Sequence, residues 1–294
     1  MKIFVFFFVS LTAYVAGGVM KKDSLTRYGS GPARHQMFNG LTSLAAVGFL
    51  LLFGLPERLS VFTLVLGIVF GLVVAGQNLA SLQALELGPL SYTTVICSLS
   101  TLIPTLSGAL LWDETISFVQ YVGIGALVVC FLLSSGGEGE QKKANLKWLL
   151  WCVVAFLCAG AIGVIQKWHQ NTPYRQETEG FLLIALSVSA VISFLALGVL
   201  ALGKRAEPET KAYFSWRPLA IMTLFGLCVA LNNQMNLYLA GAMESAIFYP
   251  VMNGGTLMGT TLCACLIFRE KLAKRQWIGL GIGILSVILL CDPF

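Results

Sequence analysis

Charge-free apolar stretches about twenty residues long recur along the whole chain, and no other feature limits its fold so strongly. A helix that crosses a bilayer needs about 20 mostly apolar residues, and it must satisfy its own backbone polar groups inside the hydrocarbon. The runs predict ten membrane helices, near residues 3–20, 36–55, 61–83, 90–112, 116–134, 148–166, 180–203, 218–240, 245–267 and 275–291. They are continuous and do not alternate with period two, which excludes a transmembrane β-barrel. Of the 294 residues 57% are hydrophobic and 11% charged, against about a quarter charged in a soluble domain. So few charges cannot cover a water-facing surface, so the lipid bilayer is the main partner. The net charge of +5 comes from short basic clusters between the apolar runs. With no basic stripe, nucleic acid is excluded as a partner.

The first run, MKIFVFFFVSLTAYVAGG, has Lys2, an apolar stretch and small residues near Ala16 and Gly18, which are the parts of a cleavable signal. However, AGGVMKK (16–22) resembles AIGVIQK (161–167) in the sixth run. A cleaved leader is not expected to echo a mature helix, so a retained first helix is expected. Eight cysteines lie in or beside apolar runs: Cys97, Cys130, Cys152, Cys158, Cys228, Cys263, Cys265 and Cys291. They form no CxxC pair and no His/Cys cluster, so neither a metal site nor a disulfide framework is expected. They are expected to pack as small apolar residues.

The chain repeats itself. DETISFVQYVGIGALVVCFLL (113–133) and REKLAKRQWIGLGIGILSVILL (269–290) align at an offset of 156, which places Glu114 on Glu270, Gln120 on Gln276, Tyr121 on Trp277, Gly123 on Gly279 and Gly125 on Gly281. The same offset carries Gln77 onto Asn233, Asn78 onto Gln234 and Tyr92 onto Phe248. Apolar residues agree by chance, whereas polar pairs landing on polar pairs inside apolar runs seldom do. The expected organisation is a five-helix repeat at 1–134, a polar linker at 135–147 and a second five-helix repeat at 148–294. Because five is odd, the second half enters the membrane from the opposite face. The fold class expected is therefore all-α integral membrane, ten helices in two inverted repeats. Inverted repeats are a common basis of alternating access around a substrate site near the midplane.

Ten spans in two halves of five, with a Glu … Gln-aromatic-x-Gly opening to the fifth and tenth, resemble the EamA-type drug/metabolite transporters. ESAIFYPVMNGGTLMGTTLCACLIFREKL (244–272) also resembles the third-to-fourth helix region of small multidrug resistance proteins of the same superfamily. The resemblance covers nearly the whole chain. It implies two-fold pseudosymmetry, a central cavity lined by helices 1, 3, 4, 6, 8 and 9, and commonly the outward movement of small metabolites or drugs across the plasma membrane. A homodimer is left open. Fifteen of the basic residues lie in the odd-numbered loops and four on the other side. By the positive-inside rule the odd loops are cytoplasmic and both termini outside. The resemblance instead implies termini inside; the fifteen-to-four charge count is given the greater weight.

Polar side chains within the runs are the site candidates. Gln77 and Asn78 lie in the third span, and Asn233 and Asn236 come from the cluster Asn232–Asn233–Gln234–Asn236 in the eighth. Tyr92 lies in the fourth span, and Tyr249 and Asn253, at i and i+4, stack on one face of the ninth. Amides in hydrocarbon must find partners, either as glue between helices or as the wall of a cavity. In the resembling small multidrug proteins a tyrosine of this region contacts substrate, and Tyr249 is the matching position. Pro104 and Pro250 each remove a backbone hydrogen bond and are expected to kink their helices. Glu86 and Glu244 lie at span ends and are the candidates for ion coupling. The small multidrug proteins carry a glutamate in their first helix, and neither the first nor the sixth run here has an acid. Glu114 and Glu270 are expected in the first turns of the fifth and tenth helices, complementing the dipole. Lys22 and Lys167 end the first and sixth helices, where snorkelling to the interface is expected. Gly67/Gly71, Gly255/Gly259 and Gly279/Gly283 permit close helix contact. His35 and His169 are expected in loops.

A largely uncharged set of amides, hydroxyls and tyrosine suits a neutral or zwitterionic small molecule, so export of an amino-acid-like metabolite is the leading reading. A multidrug exporter of organic cations and a flippase for a lipid-linked substrate are the alternatives. No HExxH, paired intramembrane acids, nucleophile constellation or G-x-x-x-x-G-K-[ST] loop appears. Neither an enzyme nor a cofactor is therefore expected.

Overall fold

The computed structural model describes residues 2–28, 31–53, 59–88, 90–134, 145–202, 215–267 and 273–291. Among these residues no strand forms. The helices are α1 (Lys2–Tyr28), α2 (Pro32–Phe53), α3 (Val61–Leu87), α4 (Leu90–Leu99), α5 (Leu102–Leu111), α6 (Phe118–Ser134), α7 (Leu146–Gln170), α8 (Thr178–Leu202), α9 (Trp216–Ala242), α10 (Ser245–Ile267) and α11 (Lys274–Leu290), with a 3₁₀ turn at Arg175–Glu177. Most of the expected linker, 135–144, lies outside the described residues, as does Glu270. Among the described residues eight segments are long and apolar enough to cross a membrane: α1, α2, α3, Tyr92–Leu111 across α4 and α5, α7, α8 with its 3₁₀ turn, α9 and α10. The α6 and α11 helices have 17 residues each. Large apolar side chains such as Phe4, Leu110, Phe118, Leu195 and Leu202 stand exposed, as they do when the outer solvent is lipid.

The fourth span is broken into α4 and α5, where one helix over 90–112 was expected. Pro104 has no N–H to give the Ser100 carbonyl, and its ring crowds that oxygen. Ile103 N–H reaches the Ser100 carbonyl at 3.1 Å, while Ser100 and Thr101 N–H reach back only three residues, to Cys97 and Ser98, at 3.3 Å each. The chain tightens there and the helix restarts at Leu102. By contrast, α10 runs unbroken through Pro250. His35 and His169 lie in helices and not in loops: His35 in the first turn of α2 and His169 in the last turn of α7. The α7 helix outlasts its apolar run because Gln166 and Lys167 are good helix formers.

The chain forms two compact units, each drawn from both halves of the sequence. One holds residues Met1–Ala75 and His169–Tyr238, the other Gly76–Trp168 and Leu239–Phe294. In the first unit α2 packs along α8. Gly71 of α3 lets that helix come so close to α8 that a Cβ would sit 2.6 Å from the Ala185 carbonyl and 2.7 Å from Val188. Phe38, Met37 and Met222 form a buried cluster, and Phe70 meets Phe181 with ring centroids 5.1 Å apart. A hydrogen-bond network joins α1 to α9. Ser10 Oγ donates to Asn236 Oδ1 at 2.6 Å, Asn232 Nδ2 donates to Ser10 Oγ at 2.9 Å, and Asn236 Nδ2 donates to Asn232 Oδ1 at 3.3 Å.

In the second unit α6 lies against α11 and α5 against α10. Gly283 approaches Cys130, Gly123 approaches Leu290, and Ser286 Oγ donates to the Gly123 carbonyl at 2.8 Å. The α6 and α11 helices start alike. Gln120 Oε1 accepts from Ser117 N–H at 2.9 Å, and Gln276 Oε1 accepts from Ala273 N–H at 2.9 Å. Each glutamine reaches back to satisfy a backbone donor at its helix N-terminus.

Candidate functional site

The second unit carries a polar seam along α10. Ser245, Tyr249 and Asn253 are spaced four apart and so share one helix face. Each is tied to a different element, and together they connect the α5–α6 loop, α7 and the α4–α5 break.

The seam begins at the helix N-terminus, where the first backbone N–H groups lack intrahelical partners. The Glu244 carbonyl accepts from Ile247 and Phe248 N–H at 3.1 and 2.9 Å, while the Ser245 N–H goes to Glu114 Oε2 at 2.7 Å. Glu114 comes from the loop after α5. Asp113 turns that loop with a left-handed φ of 53°, and Glu114 N–H bonds the Gly108 carbonyl at 3.2 Å. A Cβ at Gly108 would run into the Glu114 carboxylate, so glycine makes room for it. The other carboxylate oxygen meets Lys167 Nζ at 2.6 Å, with side-chain exposures of only 6% for the lysine and 12% for the glutamate. Lys167 also donates to the Met243 carbonyl at 2.8 Å, near the end of α9. One buried ion pair thus closes the α9–α10 corner, serving a helix C-terminus with a cation and a helix N-terminus with an anion. This corrects two expectations. Since α6 starts only at Phe118, the Glu114 carboxylate serves α10 and not its own following helix. Lys167 does not snorkel but turns inward.

One helical turn before Lys167 is Gly163, whose carbonyl accepts from the Tyr249 hydroxyl at 2.6 Å. Tyr249 is buried. A Cβ on Gly163 would lie 2.6 Å from Pro104 and 2.9 Å from the Tyr249 ring, so α5, α7 and α10 meet here without a gap. One turn further along α10, Asn253 Nδ2 donates to Thr101 Oγ1 at 3.0 Å and to the Tyr249 carbonyl at 2.9 Å. Thr101 lies at the break between α4 and α5. Asn253 itself is exposed, and its side-chain oxygen has no partner among the described residues.

The remaining candidates divide between the units. In the second unit Gln77 Nε2 donates to Ser81 Oγ at 3.1 Å, Asn78 is half-buried, and Tyr92 stands 64% exposed in the first turn of α4. Asn233 and Asn236 belong to the first unit. Asn236 is bound into the network with Ser10, and Asn233 Nδ2 donates to its own helix at the Val229 carbonyl, 2.9 Å away. Glu86 is exposed near the end of α3. Glu244 is exposed in the turn before α10. Sequence reasoning missed the convergence of Glu114, Lys167 and Ser245, because nothing local links a loop acid to a helix start 131 residues away. It also missed Thr101 as the partner of Asn253; the signal was Pro104, which fixes where the fourth span opens. Among the described residues no group of three or more His, Cys, Asp or Glu could hold a metal ion. Chemically, the seam offers amide and hydroxyl hydrogen bonds beside an ion pair that cancels its own charge.

No family model matches the chain. A protein of Haemophilus influenzae strain Rd, described as an "Uncharacterized protein", is 21% identical over 221 residues, spanning 75% of this chain and 72% of that protein. A protein of known crystal structure superposes with a TM-score of 0.74 over 98% of this chain and 96% of its own, at 14% identity. That likeness establishes a shared fold and says nothing of activity.

Proposed function

We propose that the chain is a ten-span secondary transporter of the EamA type, two inverted five-helix repeats in the plasma membrane. Its substrate is a small neutral or zwitterionic, amino-acid-like metabolite, moved outward by alternating access. The observation that carries this reading is the α4–α5 break tethered to α10 through Thr101 and Asn253, with the exposed Asn253 oxygen beside it. Discontinuous helices among continuous apolar ones are a recurring device of transporter binding sites, because freed backbone groups there can meet a solute. The matching caps at Gln120 and Gln276 support the repeat. The 17 residues of α6 and of α11 fall at the short end of the range for a span. An uncharged polar seam favours a solute without net charge.

A thermal-shift screen of the purified protein in detergent tests this reading, with amino acids, quaternary ammonium ions, polyamines and sugars as probes. A ligand bound only by the folded state raises the melting temperature, by about 2.7 kcal/mol of stabilisation at 100 times its Kd. The expected result is a shift from an amino acid that Asn253→Ala abolishes without lowering the unliganded melting temperature by more than a few degrees. A shift from quaternary cations alone replaces the metabolite with an organic cation. Silence from every soluble probe overturns the substrate class in favour of a lipid-linked one.

A further inference from the structure

In the second unit the two pieces of the broken fourth span are fastened to α7 by unlike means. Trp148 lies in the first turn of α7 and Lys167 near its end, about 28 Å apart along the axis and so close to the thickness of a hydrocarbon core.

The α4 piece is seated on Trp148. The indole Nε1 donates to Thr93 Oγ1 at 2.8 Å. The ring stands where a Cβ on Gly88 would go, and it packs in a buried cluster with Ala84 and Cys152. Asn145 steadies the seat, accepting from Trp148 N–H at 2.8 Å and donating to the Leu87 carbonyl at 3.4 Å. This seat is apolar and filled, and wetting it would expose apolar surface with nothing gained in return.

The α5 piece is held by charge. Glu114 N–H bonds the Gly108 carbonyl at 3.2 Å, so the carboxylate travels with α5. That carboxylate takes Lys167 Nζ at 2.6 Å and Ser245 N–H at 2.7 Å. When water enters a buried ion pair, both ions recover their solvation, which offsets much of the Coulomb energy lost. The closed and wetted states of this fastening therefore lie near each other in free energy, unlike those of the Trp148 seat. Between the two fastenings the span is bent tight. Ser100 N–H and Oγ both go to the Cys97 carbonyl, at 3.3 and 2.6 Å. A tight stretch inside a helix often marks a hinge. Asn253 of α10 pins Thr101 at this point, which fixes a pivot.

We propose that α5 and the loop carrying Glu114 form a swinging arm, hinged at Ser100–Thr101 and latched by the Glu114–Lys167 pair, while α4 stays seated on Trp148. Pro104 stays near Gly163 by the pivot, and the displacement grows towards Glu114. As the arm swings, Glu114 leaves Lys167 and Ser245 together and water reaches the end of α7. Only the arm's use, as a gate at one membrane face, rests on the transport reading.

Hydrogen exchange of the full-length protein in detergent, without solute, tests the arm over 90–99 and 102–117, with α8 of the first unit as reference. In the native protein, after correction for intrinsic rates, 102–117 is expected to exchange faster than 90–99. Lys167→Met unlatches the arm, and exchange over 102–117 is expected to rise at least about tenfold while 90–99 and α8 hold their rates. Adding Glu114→Gln removes the stranded charge and should bring 102–117 most of the way back. Pro104→Ala returns a donor to the Ser100 carbonyl, and Lys167→Met in that background should raise 90–99 and 102–117 together. Equal protection of 90–99 and 102–117 in the native protein overturns the hinge, with no variant needed. Unchanged exchange of 102–117 in Lys167→Met overturns the latch, and a rise shared with 90–99 and α8 replaces the arm with general loosening. A protein that shows the expected pattern but moves no solute keeps the arm and loses the transport reading.

Discussion

Replacing Lys167 by methionine removes the ammonium and keeps most of the side-chain volume. The Glu114 carboxylate, 12% exposed, then keeps Ser245 N–H and loses its cation. Removing one partner of a buried pair costs about 3–5 kcal/mol, chiefly because it leaves the other charge uncompensated. The surviving bond to Ser245 argues for the low end, about 3 kcal/mol. At roughly 2–3 °C per kcal/mol for a chain of this size, the melting temperature should fall by about 6–9 °C. Adding Glu114→Gln removes the stranded charge and leaves only weakened hydrogen bonds, at about 1–2 kcal/mol. The double variant should therefore melt above the Lys167→Met single variant. Because the pair is buried, added salt should change these differences little. The assay is thermal unfolding by tryptophan fluorescence in one detergent, at one scan rate because such unfolding is commonly irreversible. A single variant within about 1 °C of native, or a double variant showing the sum of both losses, would refute a buried, mutually dependent pair.

Two further perturbations follow from close helix contacts and from the α1–α9 network. Gly71→Ala must push α3 away from the Ala185 carbonyl and Val188, costing about 1–3 kcal/mol, whereas Gly125→Ala meets nothing within 4 Å and should be neutral or stabilising by up to about 1 kcal/mol; equal melting temperatures for the two would contradict the packing. Ser10→Ala takes two side-chain hydrogen bonds from Asn236 and Asn232, at about 0.6 kcal/mol each, so the melting temperature should fall by roughly 2–4 °C, and no change would mean that the amides pair elsewhere.

Helix positions were legible because hydrophobic length is a local property. The break near Pro104 was legible in kind, since proline removes a donor wherever it stands. Gln120 and Gln276 were aligned with each other in the sequence before the structure showed both as caps. Helix partners were not legible. Spans that are apolar all round do not reveal which face meets a neighbour, so the sequence could not tell glue from cavity in Asn232–Asn233–Gln234–Asn236. Ser10 on α1 decided it for Asn232 and Asn236. The role of Glu114 was hidden for the same reason: a carboxylate just before an apolar run suggests a local cap, and its partners come from α7 and α10.

The transport reading is tested most directly by solute flux in proteoliposomes. Vesicles loaded with unlabelled neutral amino acids would be given the labelled forms outside, with protein-free vesicles and the Asn253→Ala protein alongside. The account predicts exchange above protein-free vesicles for at least one neutral or zwitterionic amino acid, lost in the variant while the variant still reconstitutes and melts like the native protein. No exchange of any amino acid by a folded, reconstituted protein, or exchange undiminished in the variant, would contradict it.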